Sequence, residues 1–599
     1  MALRASVSSQ PDQERIAFLD SLQSESDTRR DETGVADADL NLRFLRGDQH
    51  PAVVSATGGR RGEAQSFRFV MNLIKVVIQR KAALITDSRP QINVVSRSSR
   101  KWDRASEAVK QYCAYVWDEE QMDQNSSREI VRAATIGASC AVPVWDAYAN
   151  YGRGDIRILF YDPRQIAFDP SVTRATQIKH GEYFQCWDIV PLNWVRERYS
   201  SRGAEVQPSM EWSTYETPTA RRAGSVGIQT PMARPWRRNR EEVDTSATPR
   251  CRLRHSWFRD WVRDDNTGEP LWTTPRILRH MVDASGIVLV DEPMPYQHKQ
   301  LPAHVFDWDI ELDHAWGIAE VGGMRRLQYT LNRIIGQIVD NVLLTNKVRV
   351  VSDEGAVDNK TWDLITQNPN GLYVRKRTGR QFDYQAPISA IPPFILEFVT
   401  LLVQSMDLIT GLTDVTQGKM PSKATSGVAI EGLQMAAQSI IRLEARAYED
   451  WLERIFQQVV ALVYQYVTSD RMLAILGPGQ QYQQYEFIRK AMTHDDEDVA
   501  LAESAWQDFV FKIVPGTSLA SNRIQRGVLA LNLHKVGLIP AIDVLRASDW
   551  PDPEASVAAA KAEKMEAQQT GMSVEPQRAH RPTQQLMPIP GQARRSTVP

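Results

Sequence analysis

Cysteine is scarce in this chain, and its spacing forms no pairs. Cys113, Cys140, Cys186 and Cys251 are the only four, with no CxxC among them. That excludes a zinc ribbon or a disulfide scaffold and suits a reducing cytoplasm. Net charge is nearly absent as well. Lys and Arg number 71 against 73 Asp and Glu, a balance of −2. A chain so close to neutral is no general polyanion binder, so any contact with nucleic acid has to be local. Long apolar runs are missing. Even FILEFVTLLVQSMDLITGL carries Glu397, Gln404 and Asp407, which argues against a membrane span. The opening residues, MALRASVSSQPDQER, hold no apolar stretch of the kind a secretory signal needs.

Catalytic signatures are lacking too. HExxH, GxSxG and GxGxxG do not occur. GLTDVTQGKM places six residues between Gly411 and Gly418, and Met420 follows Lys419. A P-loop needs a shorter gap to curl its amides round a phosphate, and Ser or Thr after the lysine. DWDIELDH would set Asp307, Asp309, Glu311 and Asp313 on one side of a strand, a conceivable seat for a hard cation and for nuclease chemistry. Leu312 occupies the glycine position of an EF-hand, so a solvated strand face is the plainer reading. Asp495, Asp496, Glu497 and Asp498 follow Thr493, where acids complement a helix N-terminus. No catalytic residue, cofactor or metal-ligand set is expected.

What is present points to a large soluble globular chain of several domains, with 42% hydrophobic and 24% charged residues in 599. The strongest pattern runs from Pro392 to Val467. An apolar helix, PPFILEFVTLLVQSMDLITGL, leads into TDVTQGKMPSKATSG, which has no periodicity. Beyond it, residues 428–467 hold Ile430, Leu433, Ala437, Ile440, Tyr448, Trp451, Ile455, Val459, Leu462 and Tyr466 at helical spacing on one face. A helix of about 40 residues would be a rod of roughly 60 Å, a length that suggests it crosses a large assembly.

Earlier segments read as an α+β body. Two polar helices fill 11–46, a third helix ends near Ile85, QINVVS is a strand, and two helices cover 103–120 and 126–136. SCAVPVWDAY and DIRILFYD flank a turn, CRLRHSWFRDW alternates as a strand, and RILRHMV and IVLVDE flank DASG. Residues 201–250 lose periodicity. From Pro218 to Arg254 nine arginines oppose Glu241, Glu242 and Asp244, a surplus of +6 (9 − 3), so an exposed insertion is expected. Glu320 to Leu344 is a strong helix, and 347–391 is a compact insert with strands VRVVS and GLYVRK around a short helix near Trp362. DFVFKIVPG is a strand, RIQRGVLALNLHKVGLIP is helical, and 551–599 reads as a short helix with a disordered tail.

This order resembles the portal proteins of tailed bacteriophages, of the short-tailed-phage type. RFLRGDQHP, FVMNLIKVVIQRKAALITDSRPQINV, GIAEVGGMRRLQYTLNRIIGQIVDNVL and GLTDVTQGKMPSKATSGVAIEGLQ carry the likeness. The resemblance implies an α+β wing over 1–319, a stem helix over 320–346, a clip over 347–391 and a second stem helix over 392–412. A tunnel loop over 413–427, a long wing helix over 428–470, a wing return and crown over 471–550, and a tail over 551–599 complete the portal-type subunit. It further implies a homo-oligomeric ring of about twelve subunits at one capsid vertex of the virion, assembled in the host cytoplasm. Double-stranded DNA would pass through its channel. Lys419 and Lys423 of the tunnel loop would touch that DNA, and Arg375, Lys376, Arg377 and Arg380 of the clip are candidates for docking or DNA contact. Implied partners are the terminase large subunit, which hydrolyses the ATP, tail adaptor and head-completion proteins, and capsid and scaffolding protein. A helical virion scaffold or tail-assembly protein without a channel is the alternative.

Overall fold

The alternation in CRLRHSWFRDW sets the largest sheet. In the computed structural model of the chain, β6 (Arg250–Asp260) is the middle strand of five. The antiparallel order is β4 (Ile166–Phe168), β5 (Tyr183–Pro191), β6, β7 (Ile277–Ala284) and β8 (Ile287–Pro293). Pleating puts Leu253, His255 and Trp257 on one face and Arg252, Arg254 and Phe258 on the other. Helix α1 (Asp12–Asp31) crosses the second face from β8 to β4. Arg15 pairs with Asp291 at 3.5 Å and Arg254 reaches Asp20 at 2.6 Å. Gln185 donates to the Leu19 carbonyl at 3.0 Å, and the Phe168 amide donates to Ser26 Oγ at 3.0 Å. Leu19 closes the strap against Phe258 and Met281.

The structure describes residues 12–49, 69–87, 89–90, 92–96, 103–199, 201–208, 249–261, 276–345, 348–366, 371–377, 392–412, 439–467, 471–476, 482–487, 505–513, 520–547 and 556–557. The Arg-rich insertion is narrower than its composition suggests. Residues 201–208 pack beneath the sheet, with Val206 buried beside Leu192 and Val195. Arg250, Arg252 and Arg254 belong to β6, and Arg254 is buried against Asp283 at 2.9 Å, so the +6 surplus is not all loop charge. Residues 209–248 lie outside the described residues.

The long apolar helix is the centre of the body. α10 (Ser439–Tyr466) is 28 residues, about 42 Å. Tyr448, Trp451, Ile455, Val459 and Leu462 are buried as the single-face spacing requires, but so are Leu452, Phe456, Val460, Val463 and Tyr464. A helix apolar on several faces is a core helix. It packs on β2 (Ala138–Asp146), β9 (His304–Asp307), β14 (Phe509–Ile513), α3 (Leu73–Ile85) and α4 (Asp103–Glu119). The described part, Ser439–Tyr466, serves the protein's own core. Residues 428–438 lie outside the described residues. β14 pairs antiparallel with β1 (Ile92–Ser96), Val94 opposite Phe511. Its other edge is satisfied by α10, since Gln457 bonds Phe509 O and Phe511 N, and Glu453 accepts from Ile513 N.

β2 lies between β3 (Asp155–Tyr161) and β9. At its start, Gly137 and Gly317 meet backbone to backbone. A Cβ on either would fall 2.3 or 2.4 Å from the other's carbonyl oxygen. This approach pins the segment after β9, with Trp308 N donating to Gly137 O at 2.9 Å. β9 therefore stops at Asp307, and DWDIELDH turns instead of running on as a strand. Asp309 and Asp313 are exposed, while Asp309 and Glu311 accept the amides of Ile310 and Leu312. The four carboxylates do not share one strand face, which corrects the cation-site reading. Among the described residues no cluster of three or more His, Cys, Asp or Glu is placed to hold a metal ion.

Strands VRVVS and GLYVRK and the short helix near Trp362 form as their patterns suggest. α7 (Glu320–Thr345) precedes β10 (Val348–Asp353), α8 (Asn359–Thr366), β11 (Gly371–Lys376) and α9 (Pro393–Thr410). β10 and β11 are parallel, making one βαβ unit. Pro393 starts α9, and Gly411 ends it at φ 70°. β12 (Arg471–Leu476) and β13 (Tyr482–Phe487) pair antiparallel, Arg471 opposite Phe487. The chain divides into two compact units, the second comprising 477–481 and 523–599. There α11 (Ala520–Lys535) ends at Gly537, φ 81°, before α12 (Ala541–Ala547).

Candidate functional site at the helix roots

The site is built on Lys81. It falls on the apolar row of α3, four residues after Val77, and its side chain is 2% exposed. Its Nζ lies 2.5 Å from Oε1 of Glu320, the first residue of α7, and 2.7 Å from Oε1 of Glu444, near the start of α10. It also sits 5.7 Å from the Trp308 ring centroid. One buried cation thus joins the starts of two long helices. Burial works to lower the lysine's pKa, but Glu320 and Glu444 outweigh it and hold it above the ordinary value. Burial pushes both carboxyls up, Glu444 to about 7, with Lys81 opposing and Glu320 adding repulsion.

A second, uncharged network grips α7 further along. Gln328 and Asn332 are buried on its inner face. Gln328 Oε1 accepts the amides of Leu73 and Ile74, at 3.0 and 3.4 Å, at the open start of α3. Its Nε2 donates to Met71 O and to Asn332 Oδ1. Asn332 Nδ2 donates to Gln49 Oε1 at 2.6 Å, and Gln49 donates to Asn72 Oδ1 and to Phe44 O. Asn72 in turn caps α3 by accepting from Lys75 N. RFLRGDQ, FVMN and MRRLQYTLN meet in this single cluster. The residues involved carry no charge, so the grip is insensitive to pH and salt.

Past these roots the helices are open. α9 buries only Leu402, Met406 and Thr410, leaving Phe394 at 66% and Leu408 at 78% exposure. In the βαβ unit, Arg375 is exposed, stacks on Trp362 at 4.6 Å and donates to Asn359 Oδ1 at 3.0 Å. Lys376 closes β11 and Arg377 is exposed just past it. Arg380, Lys419 and Lys423 lie outside the described residues. The structure therefore places Arg375 and Arg377 at the surface and ties only Arg375 to a neighbouring helix.

Sequence reasoning missed Lys81, Glu320, Glu444, Gln328 and Asn332. The signal was available for three of them. Lys81, Gln328 and Asn332 are polar residues at apolar-face positions of strongly periodic helices, and buried polar groups need partners.

Fold and junction define an α+β protein in which two long helices bracket a small βαβ unit. A family model described as phage P22-like portal protein matches residues 21–596, nearly the whole chain. The chain belongs to that family and is a phage portal protein. No curated protein matches it.

Proposed function

We propose that the chain forms a closed ring at one capsid vertex of the virion, and that the ring is the channel for genome packaging and ejection. α7 and α9 are its stem, 347–391 its clip, 413–427 its tunnel loop and 471–550 its wing return and crown. The terminase large subunit, then tail adaptor and head-completion proteins, dock on the clip, where Arg375, Lys376, Arg377 and Arg380 are the cationic candidates. Capsid and scaffolding protein surround the body, and assembly takes place in the host cytoplasm.

One observation carries this reading: the bare apolar surface of α9. Phe394, Leu396, Phe398, Leu401, Leu408 and Ile409 are each at least 43% exposed on one 18-residue helix. An exposed apolar row of that extent marks an interaction surface. By length and composition alone this helix is also apolar enough to cross a membrane. A neighbouring copy covers it equally well, and Glu397 and Asp407 within the helix favour a protein neighbour over lipid. A heterologous interface that closes by rotation yields a ring with such helices side by side about its axis.

The test is light scattering and single-particle imaging of purified protein in detergent-free buffer. Closed rings are expected. A lone 67.9 kDa species at high concentration, or open filaments, would overturn the ring.

A further inference from the structure

We propose that Lys81, Glu320 and Glu444 form a proton-dependent clasp between the roots of α7 and α10, closed while one carboxyl is protonated and loosened when both are ionised. The inference does not rest on the portal reading.

Geometry comes first. The three side chains arrive from three helices, and Lys81 is within 2.7 Å of an oxygen on each carboxyl. The side chains of Lys81, Glu320 and Glu444 are 2%, 9% and 11% exposed, so water does little to screen them. The charged groups facing Glu444 are Lys81 on α3, Glu320 on α7 and Asp309 in the turn before α7. With every group ionised, three negative charges face one positive charge. One ammonium cannot neutralise both buried carboxylates beside it, and Glu444 Oε2 finds no hydrogen-bond partner in the protein. A proton on the pair removes the surplus repulsion.

The second observation is the contrast with the amide network. Gln328 lies eight residues beyond Glu320, about 12 Å along α7, and its partners do not titrate. α7 therefore stays anchored at any moderate pH. What the proton controls is the hold on the start of α10. The direction follows from linkage. Glu444 is pushed up to about 7 in the closed state and returns to an ordinary carboxyl value on opening. The closed state binds the extra proton, so it is favoured by acid and weakens as pH rises towards 7. Above that the effect levels off.

Hydrogen exchange of the full-length protein at pH 5, 6, 7 and 8, corrected for the intrinsic pH dependence of exchange, tests this. Opening of 439–450 should rise on the order of fiftyfold from pH 5 to pH 8, while 324–335 moves little. Glu444→Gln, which mimics the protonated form, should flatten the slope and keep 439–450 protected at pH 8. Lys81→Gln leaves two acids unopposed and should extend the slope above pH 7. A flat parent profile, or an unchanged slope in either variant, overturns the clasp.

Discussion

At the scale of single residues, two buried amides make opposite predictions. Gln328 has every polar atom engaged, capping α3 and bonding Asn332. Replacing it with leucine of similar size strands the Ile74 amide and removes one of two hydrogen bonds at Leu73 N, Met71 O and Asn332 Oδ1. Gln328→Leu should cost about 3 kcal/mol in denaturant unfolding. Asn41 is equally buried, yet both ends of its amide find no partner in the protein. Asn41→Leu should leave stability unchanged or raise it by about 1 kcal/mol. If both changes destabilise alike, hydrogen-bond satisfaction is not what separates them. Histidines supply a pH dependence opposite in sign to Glu444. Burial lowers His304 to about 3 and His298 to about 4. Their folded pKa values lie below the ordinary one, so the unfolded chain takes up protons first as pH falls. Their contribution is complete above pH 6.5 and is lost towards pH 4, by about 1.4 kcal/mol per pH unit for each. His304→Gln should make acid unfolding less steep, measured as midpoint against pH between 4 and 7. An unaltered slope would exclude His304 as a source.

At the scale of elements, α9 and α10 have similar apolar patterns and opposite fates. α10 is buried from Trp451 to Tyr464 because β2, β9, β14 and α4 surround it. α9 meets α7 and little else among the described elements, so its apolar row remains bare. Charging that row should therefore spare the subunit and break the assembly. Leu401→Lys with Leu408→Lys is expected to change subunit stability by less than about 0.5 kcal/mol, since exposed substitutions do little. The same protein should sediment as a single subunit. Rings that persist in this variant would move the interface elsewhere.

For the whole molecule, a near-neutral charge balance suits the proposed channel, through which DNA would have to slide. Each fixed phosphate contact adds salt-dependent affinity, so many would hold the duplex still. Lys419 and Lys423, opposed only by Asp414 in TDVTQGKMPSKATSG, are the proposed exception. Ring symmetry would repeat two charges into a collar, each contact screened over about 8 Å at physiological salt. Lys419→Ala with Lys423→Ala should assemble normally and change the packaging rate or the retention of packaged DNA. If packaging, retention and their salt dependence all match the parent, the loop is only a hinge.

Local pattern determined much of this fold by itself. Helical spacing located α7 within a residue at either end, and alternation located β6, because both periods are properties of a few consecutive side chains. The DASG and NYGRG turns announced their hairpins for the same reason. Tertiary structure alone decided that β1 pairs with β14 some 400 residues away, since a strand edge carries no label for its partner. It alone ended β9 at Asp307, where the contact between Gly137 and Gly317 turns the chain and scatters four acids that alternate in sequence. It alone chose which apolar helix would be core and which would be surface. Finally, it gathered Lys81, Glu320 and Glu444, more than 360 positions apart at the extremes, into one buried cluster. A lysine on an apolar face reveals that it needs partners, but only packing brings those partners within 3 Å.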